Sequence, residues 1–580
     1  MRSARQILHS PWLLLSLAAV ALAAGLGLRD PSPADEPRFV LAAQQMVESG
    51  QWLVPHRGSE MYAHKPPPFM WLQAIAYTAV RDWRIAFLLP SLLAALGTLW
   101  LVHDLAQRLW NRKVAAYAGF ALLATLQFGL QAKRAQIDMV LVFWTTLSLW
   151  ALSRHLLQRT DWRLLALGGL AAGIGTITKG VGFLPLLLLL PWWLGQRRDR
   201  AFPVRSIANA GFGRAQWWWL PAGFIAGVSL WLLPLGLALL GGDDPDLRRY
   251  ASEILFKQTG TRYAAAWHHV QPPWYYLQVI ATLWLPGALL LPWLLPAWGR
   301  RMRRGDLRTT SLLGWAALVL LFFSASPGKR EVYLFPALPA LCIAAAPLLP
   351  GLLRRAFARR LLLGYVLVLA AAALTLGIGG LLDAGWASRL SAGRGLTAAA
   401  VQALWLWLCA LGTGGLVLAA IGRTRRAGAV AVGFAALLWI VYGIGLAPAL
   451  DPSSSGRAFM QDVRARIGPQ AQLGLVGWRE QHLLQAVGPT AEFGFERESS
   501  EQWRDAVVWL SAAPGERWLF ALKDAVGPCV DTGELIDLGR SSRRQWVLVP
   551  GAAYRSGCVP PPRAPNHNLE DDRAQADDGD

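Results

Sequence analysis

The feature that most constrains this 580-residue chain is a series of about thirteen long apolar segments separated by short basic loops. About 17–25 consecutive apolar residues suffice to cross a bilayer as a helix. Only 16% of the residues are charged, against roughly 25% in soluble domains. We therefore predict a polytopic α-helical membrane protein, with spanning or near-spanning segments at about 11–28, 84–107, 114–131, 139–157, 164–179, 181–196, 217–240, 274–295, 310–325, 332–350, 361–382, 398–421 and 427–447.

The distribution of basic residues predicts how the chain is oriented. The shorter segment 68–80 is predicted to be a juxtamembrane or re-entrant helix, because counting it as a span would reverse every later basic loop. With it excluded, the basic loops collect on the cytoplasmic side, and an odd number of spans places the C-terminal part on the external side. The net charge of +20 is spread over these loops rather than over one soluble face, so no nucleic-acid partner is expected.

The composition changes near residue 448, and three parts are predicted: a membrane domain (1–447), a small α/β domain (448–559) and a disordered acidic tail (560–580). Within the α/β domain we expect strands and helices at Ala471–Trp478, Arg517–Lys523, Gln545–Pro550, Arg457–Ile467 and Ser500–Ala512. Cys529 and Cys558 would be able to pair if this domain lies in an oxidising compartment.

The first external loop (29–83) holds the residues around which the rest of the chain is predicted to be arranged. Apolar residues at helical spacing, followed by Gly50, predict a surface helix with the acidic pair Asp35 and Glu36 at its start. Tyr62 and Lys65 follow at the other end of the loop, before a run of prolines. The loop therefore offers carboxylates and an ammonium group close to the membrane surface.

A minority of basic residues returns to the external side, where membrane insertion does not favour them. We interpret them as a binding site for a lipid phosphate or pyrophosphate, formed with Asp138 nearby by Arg38, Lys65, Lys133, Arg134, Lys179, Arg248, Arg249, Lys257, Arg262, Lys329 and Arg330. Simpler roles compete for several of them. Asp35 could be only a helix N-cap, and Lys65 could simply extend its ammonium group to the membrane–water interface. Lys329 and Arg330 could form an ordinary turn. Asp138 could be a cap or a partner of Arg134.

These residues also suggest chemistry. Asp35 could accept a proton from an attacking hydroxyl, or orient an acceptor phosphate that needs no base. Lysines such as Lys65 and Lys179 would neutralise the charge on a departing phosphate. His64, His268 and His269 are candidate ligands for a divalent metal, although such histidines more often serve as plain hydrogen-bonding groups.

Several of these stretches resemble a known family. Asp35-Glu36-x-Arg38, Ser49-Gly50-x-Trp52-x-Val54-Pro55 and Tyr62-x-x-Lys65-Pro66-Pro67 are similar to the first periplasmic loop of the bacterial lipid A aminoarabinose transferases. Those enzymes group with the protein O-mannosyltransferases among the C-type glycosyltransferases (GT-C). The similarity continues at Arg134-x-x-x-Asp138-Met139, Thr178-Lys179-Gly180, His268-His269-x-Gln271-Pro272 and Ser326-x-x-Lys329-Arg330-x-x-Tyr333.

The resemblance implies a GT-C fold of about thirteen transmembrane helices in the bacterial inner membrane, with a periplasmic active site. With that orientation, the odd number of spans puts the C-terminal α/β domain in the periplasm as well. The resemblance also implies transfer of aminoarabinose or a similar sugar from undecaprenyl phosphate to lipid A or another envelope acceptor. It implies that Asp35 is needed for activity, that Tyr62 and Lys65 lie near the carrier phosphate, and that Lys179 and Asp138 line the same cavity. From the charges and the resemblance together, we predict that Asp35, Glu36 and Asp138 are catalytic, and that substrate is bound by Arg38, Tyr62, Lys65, Arg134, Lys179, Lys329 and Arg330. His64 stands where the family usually has an acidic residue. Two alternatives stay open: a protein O-glycosyltransferase of the same fold, and a transporter or flippase of a lipid-linked sugar.

Overall fold

The computed structural model describes residues 9–196, 214–255, 270–392, 396–541 and 544–560. Within these ranges, seven helices are long and apolar enough to cross a membrane: Trp83–Leu109, Ile137–Leu157, Ala215–Gly241, Leu307–Ala325, Ala356–Leu381, Ala398–Gly422 and Thr424–Ser454. Two bent pairs raise that number to nine if each pair is one span. The other predicted segments contain the shorter helices Pro11–Ala23, Trp162–Lys179, Leu184–Gln196 and Ala337–Ala345. The count of thirteen spans therefore stays a prediction, and residues 561–580 of the predicted acidic tail lie outside the described ranges.

The two bent pairs meet at their breaks. Arg112–Ala124 and Leu126–Ala132 are bent by 69°, and Tyr275–Leu283 and Gly287–Arg303 are bent by 105°. At the contact the backbone N–H of Leu126 donates to the carbonyl of Leu285 over 3.0 Å. Because unpaired backbone groups are costly inside a membrane protein, each break supplies a partner for the other. The first pair ends at Ala132, directly before the residues that form the candidate site.

Close packing between two helices positions Lys179. Gly169 and Gly173 lie on the helix Trp162–Lys179, and Gly223 and Gly227 lie on Ala215–Gly241. A Cβ on any of these four glycines would collide with the backbone of the facing helix. Paired small residues four apart are the pattern that allows such an approach. The packing fixes the helix whose last residue is Lys179.

The first loop forms the compact structure that its sequence predicts. The loop helix Glu36–Ser49 buries Phe39, Val40, Ala43 and Met46, and Gly50 ends it with φ 73°. The predicted helix and its end are confirmed, and its place at the membrane surface stays a prediction. A short hairpin of β1 (His56–Arg57) and β2 (Glu60–Met61) follows. The next helix, Pro68–Val80, has 13 residues and a length of about 20 Å, which is too short for a span of roughly 30 Å.

The C-terminal part contains a five-stranded sheet with the order β4-β3-β5-β7-β6. Its strands are β3 (Gln472–Val476), β4 (Thr490–Glu492), β5 (Arg517–Leu522), β6 (Ile536–Ser541) and β7 (Arg544–Pro550). β3 pairs in parallel with β4 and β5, whereas β7 is antiparallel to β5 and β6. The helices Arg457–Ile467, Glu480–Gln485 and Ser499–Ala512 accompany it, and a disulfide joins Cys529 to Cys558. Three of the strands coincide with those expected from the sequence.

Some of the helices named above consist of consecutive pieces: Trp83–Ala86 and Leu89–Leu109; Leu184–Leu188 and Leu189–Gln196; and Ala427–Val441, Tyr442–Leu446 and Ala447–Ser454. Short helices between these units are Pro245–Ser252, Glu331–Leu334, Leu349–Leu352 and Gly385–Ala392.

Candidate active site

Four chain segments bring opposite charges together at one end of the membrane domain. Asp35 precedes the loop helix, and Asp138 lies in the first turn of Ile137–Leu157. Lys179 ends its helix, and Arg330 precedes the short helix Glu331–Leu334. The Lys179 Nζ lies 2.5 Å from the Asp138 Oδ1, and an Arg330 amino group lies 3.9 Å from the Asp35 Oδ2. These four of the predicted site residues therefore form one cluster.

The Asp35 side chain faces this cluster instead of capping its helix. Asp35 occupies the N-cap position, yet its carboxylate makes no capping hydrogen bond. The Oδ2 accepts a hydrogen bond of 2.9 Å from the Gln136 side chain, and the Arg38 guanidinium lies 3.8 Å from the Oδ1. The side chain is 19% exposed. Its hydrogen-bonding capacity is thus directed towards the charged cluster, as the functional hypothesis requires. Gln136 was not among the predicted residues.

The surrounding cations keep Asp35 ionised. Burial alone would raise the pKa of this carboxyl group, but Arg330, Arg38 and Lys179, together with the hydrogen bond from Gln136, hold its pKa below the ordinary value. In return, the pKa of Arg330 is raised: burial opposes its charge, but Asp35, Glu331, Tyr333 and Asp138 together more than offset that effect. A carboxylate with a lowered pKa is a weak base and a strong electrostatic anchor.

Asp138 pairs with Lys179 rather than with Arg134. The Lys179 ammonium also lies 5.2 Å from the centre of the Tyr333 ring, within the range of a cation–π contact. Arg134 is half-buried, and its side chain has no hydrogen-bond or ion-pair partner among the described residues. Of the two predicted arginines that flank this region, Arg330 is joined to the acids and Arg134 stays available to an anion.

The geometry of Glu36 favours a structural role over the predicted catalytic one. Its carboxylate is 5% exposed and forms a bidentate pair with Arg29 at 2.5 and 2.8 Å. The same two oxygens also accept hydrogen bonds from the backbone N–H groups of Ser32 and Ala135. Because its oxygens are occupied, Glu36 ties the start of the loop helix to the segment before Asp138 and so orients the neighbouring Asp35.

Lys329 is likewise occupied by the protein itself. Its Nζ donates to the carbonyls of Ser326, Gln271 and Pro327 at 2.7, 3.1 and 3.4 Å, and the residue is 5% exposed. An ammonium group has three hydrogens, and all three are used here. The geometry therefore favours a role in shaping the turn that carries Arg330, rather than the predicted contact with substrate.

Tyr62 and Lys65 lie in the same first loop. Tyr62 is fully buried, and its hydroxyl has no hydrogen-bond partner among the described residues. Burial raises the pKa of Tyr62, while nearby Arg38 and Arg57 oppose that rise. Lys65 is half-buried in the segment after β2. Both stay predicted substrate-binding residues.

Of the three predicted metal ligands, only His64 lies within the residues that the structure describes. His268 and His269 lie outside the described residues. The Nε2 of His64 lies 3.4 Å from the Glu496 Oε1. Within the described ranges, no group of three His, Cys, Asp or Glu residues could hold a metal ion. The divalent metal therefore stays a prediction.

The C-terminal part contributes the buried Glu480 and the partly exposed Glu496 to the first loop, which the sequence did not reveal. The Glu480 Oε1 accepts from both Arg38 and Arg57 at 3.1 Å, and Arg57 also donates to Glu496 at 2.8 Å. These contacts join residues more than 400 positions apart, so no local pattern could have indicated them. Arg38, next to Asp35, is thus oriented by a residue of the C-terminal part.

The chain matches a family model, and its structure matches solved structures. The family model described as dolichyl-phosphate-mannose-protein mannosyltransferase matches residues 64–210. The structure also superimposes on the crystal structure of ArnT from Cupriavidus metallidurans bound to undecaprenyl phosphate, with a TM-score of 0.71 over 94% of this chain and 98% of that one, at 20% identity. This chain has the ArnT fold. The predicted GT-C architecture and the resemblance to the aminoarabinose transferases are confirmed.

Relatives in sequence agree with the structural match. An undecaprenyl phosphate-α-4-amino-4-deoxy-L-arabinose arabinosyl transferase of Pseudomonas fluorescens (strain Pf0-1) is 33% identical over 319 residues, which are 52% of this chain and 51% of the relative. The corresponding transferase of Pseudomonas aeruginosa PAO1 is 32% identical over 328 residues, 53% of this chain and 54% of the relative. The chain thus spans about half the length of the curated relatives that it matches. A polytopic membrane protein with apolar helices is consistent with all of these similarities.

Proposed function

We propose that this protein is a glycosyltransferase that moves aminoarabinose, or a similar sugar, from undecaprenyl phosphate to lipid A on the periplasmic face of the inner membrane. The proposal rests on the cluster of Asp35, Asp138, Lys179 and Arg330. In this cluster, two acids and two cations at the ends of four helices form two ion pairs. The carrier and the sugar are those after which the relatives are named, and the solved ArnT structure is bound to the same carrier, undecaprenyl phosphate.

In the proposed reaction, the cations bind the phosphate of the carrier. An acceptor oxygen attacks the anomeric carbon of the sugar, and a new C–O bond forms there. The C–O bond to the carrier phosphate breaks, and its electron pair leaves with undecaprenyl phosphate. Lys179 and Arg330 would stabilise the charge that develops on this leaving group, because fixed cations in a partly buried site act with little reorganisation.

The state of Asp35 favours a phosphate oxygen of lipid A as the attacking group. A carboxylate with a lowered pKa is a poor acceptor for the proton of a hydroxyl group. A phosphate oxygen carries no proton that has to be removed, so Asp35 needs only to orient the reacting groups. If the acceptor were a hydroxyl, its proton would pass to Asp35.

A protein acceptor is the second candidate, because the family model that matches residues 64–210 is described by protein mannosyl transfer. The transporter alternative finds less support. It requires acids buried within the spans, whereas the acids of this cluster lie at helix ends.

Mass spectrometry of lipid A and of envelope glycoproteins, with and without the gene, tests the proposal and names the acceptor. Complementation with wild type, Lys65→Met and the loop variant Glu48→Gln separates the site from general effects. We expect added sugar on lipid A with wild type and Glu48→Gln, and its loss with Lys65→Met. Sugar on glycoproteins alone would establish the second candidate, and no change in either fraction would reject a transferase.

A further inference from the structure

A cavity in the membrane domain lies apart from the charged cluster. It has a volume of about 670 Å³, within the range of roughly 300–1,000 Å³ that is common for ligand pockets. Its walls are apolar and come from several helices of the membrane domain, with Leu17, Phe120, Trp284, Leu341 and Leu349 among the lining residues. Asp35, Asp138, Lys179 and Arg330 do not line it.

One end of this cavity is strongly basic. Lys113, Arg354, Arg359, Arg425 and Arg426 line it, and none of the described Asp or Glu residues does. They come from three separate stretches of the chain, at or just before the starts of the helices Arg112–Ala124, Ala356–Leu381 and Ala427–Val441, and none of them has an ion-pair partner among the described residues. All but Arg359 are exposed. The Nε of Arg359 is buried and has no hydrogen-bond partner in the described part of the chain.

The basic end faces away from the candidate active site. The helix Ala427–Val441 begins directly after Arg426 and has 15 residues, so it is about 22 Å long. It continues into Tyr442–Leu446, where Gly443 lies against the Lys133 ammonium. Lys133 directly precedes the segment that leads to Asp138. The basic end of the cavity and the segment that leads to the charged cluster therefore lie at opposite ends of this continuous helix, and the predicted orientation puts the basic end on the cytoplasmic side.

Basic loops on the cytoplasmic side follow from membrane insertion alone, so charge by itself would not define a site. Two further observations do. The five cations converge on one apolar cavity, and the buried Nε of Arg359 is a donor that the described residues leave without an acceptor. A buried donor without an acceptor is costly, and a phosphate oxygen supplies one.

We propose that this cavity binds one anionic phospholipid of the cytoplasmic leaflet. Its acyl chains would lie along the apolar walls, and its phosphate would lie among Arg354, Arg359 and Arg425. Basic pockets between transmembrane helices on the cytoplasmic side are suited to anionic headgroups. The apolar walls favour a lipid over free phosphate. The carrier phosphate is assigned to the opposite end of the protein, so the lipid site does not depend on the proposed function.

Native mass spectrometry of the purified full-length protein tests this site. Wild type, Arg354→Gln/Arg359→Gln/Arg425→Gln and the matched control Arg300→Gln/Arg303→Gln/Arg304→Gln would be titrated with phosphatidylglycerol, with phosphatidylethanolamine and with inorganic phosphate. The control removes three cations from the same predicted side that do not line the cavity. We expect wild type and control to retain one phosphatidylglycerol in preference to phosphatidylethanolamine, and the cavity variant to bind it at least about tenfold more weakly.

Retention of phosphatidylglycerol by the cavity variant at the wild-type level would overturn the proposal. Equal retention of the two lipids by wild type would do the same, as would displacement by inorganic phosphate or by undecaprenyl phosphate. If the triple variant does not fold, Arg359→Gln and the charge-preserving Arg359→Lys replace it. The lysine variant should then bind the lipid more tightly than the glutamine variant, and equal binding by the two would reject the site.

Discussion

Glu36 and Arg29 form a buried bidentate ion pair at 2.5 and 2.8 Å, one residue away from Asp35. Arg29 also donates to the backbone carbonyl of Lys133, and Glu36 accepts from the N–H of Ala135. The pair thus connects the first loop to the segment that carries Gln136 and Asp138. The geometry therefore favours a role for Glu36 in holding the site in place over its predicted catalytic role.

Breaking this pair should destabilise the protein. Glu36→Gln leaves the Arg29 charge buried without its partner, which costs about 3–5 kcal/mol. Arg29→Met/Glu36→Gln removes both charges and should recover part of that loss. The melting temperature of both variants is measured in detergent. Arg108→Gln serves as the control, because the ion pair of Arg108 with Asp104 is far more exposed (41% for the arginine side chain). A melting temperature of Glu36→Gln equal to that of the control would contradict the structural role.

Lys179 and Lys329 should behave differently when each loses its charge. Lys179→Met removes a cation of the cluster, so binding of undecaprenyl phosphate should weaken by about tenfold or more. Lys329→Met leaves three carbonyls without their donor, so it should lower the melting temperature and leave carrier affinity per folded molecule close to that of wild type. Ligand titration and thermal unfolding separate the two effects. The reverse pattern would show that Lys329 is the phosphate ligand.

Glu480 should make stability depend on pH. Burial alone would raise the pKa of Glu480, but Arg38 and Arg57 hold it below its ordinary value. A lowered pKa in the folded state means that this stabilisation is complete above the unfolded pKa, near 4.5, and is lost as the pH falls through the folded pKa. The melting temperature of wild type should therefore fall further between pH 7 and pH 4 than that of Glu480→Gln. Glu48→Gln, which changes an exposed acid, should follow wild type, and parallel curves for all three would argue against this origin.

The disulfide between Cys529 and Cys558 should report the compartment of the C-terminal part. The two cysteines are 29 positions apart, and closing a loop of that size contributes about 3–4 kcal/mol in the chain-entropy model. In intact cells whose other cysteines, Cys342 and Cys409, are replaced by serine, we expect no reaction with a thiol-specific maleimide until a reductant is added. Rapid labelling without a reductant would place this part in a reducing compartment, on the cytoplasmic side.

Local patterns explain what the sequence could predict. The loop helix follows from the spacing of Phe39, Val40, Ala43 and Met46 and from the stop at Gly50. The bends at Thr125 and Leu285 were not visible, because both segments are apolar throughout and each break is stabilised by the other one. An apolar run therefore reveals that a helix is present but not where it bends.

The site residues also fall into two groups: those that the sequence could reveal, and those whose roles depend on distant partners. Lys179 and Arg330 could be found because membrane insertion does not favour basic residues on the external side, and Asp35 and Asp138 because they lie near such residues in the sequence. The sequence could not show that Glu36 has a different role from Asp35, or that Lys329 has a different role from Arg330. Neighbouring residues of like charge differ only in their distant partners, such as Arg29 for Glu36 and the carbonyls around Lys329. Glu480 was missed for the same reason, since its partner Arg38 is 442 positions away.

The central claim is tested most directly by the rate of sugar transfer in Asp35→Asn. The variant keeps the size of the side chain and its contact with Gln136 while removing the charge that Arg330, Arg38 and Lys179 stabilise. With purified protein, the sugar-loaded undecaprenyl phosphate and lipid A, mass spectrometry of the product should show transfer at least about 100-fold slower than in wild type and Glu48→Gln. Membrane insertion and melting temperature should stay near those of wild type. Transfer by Asp35→Asn at the wild-type rate would contradict the assignment of this cluster as the active site.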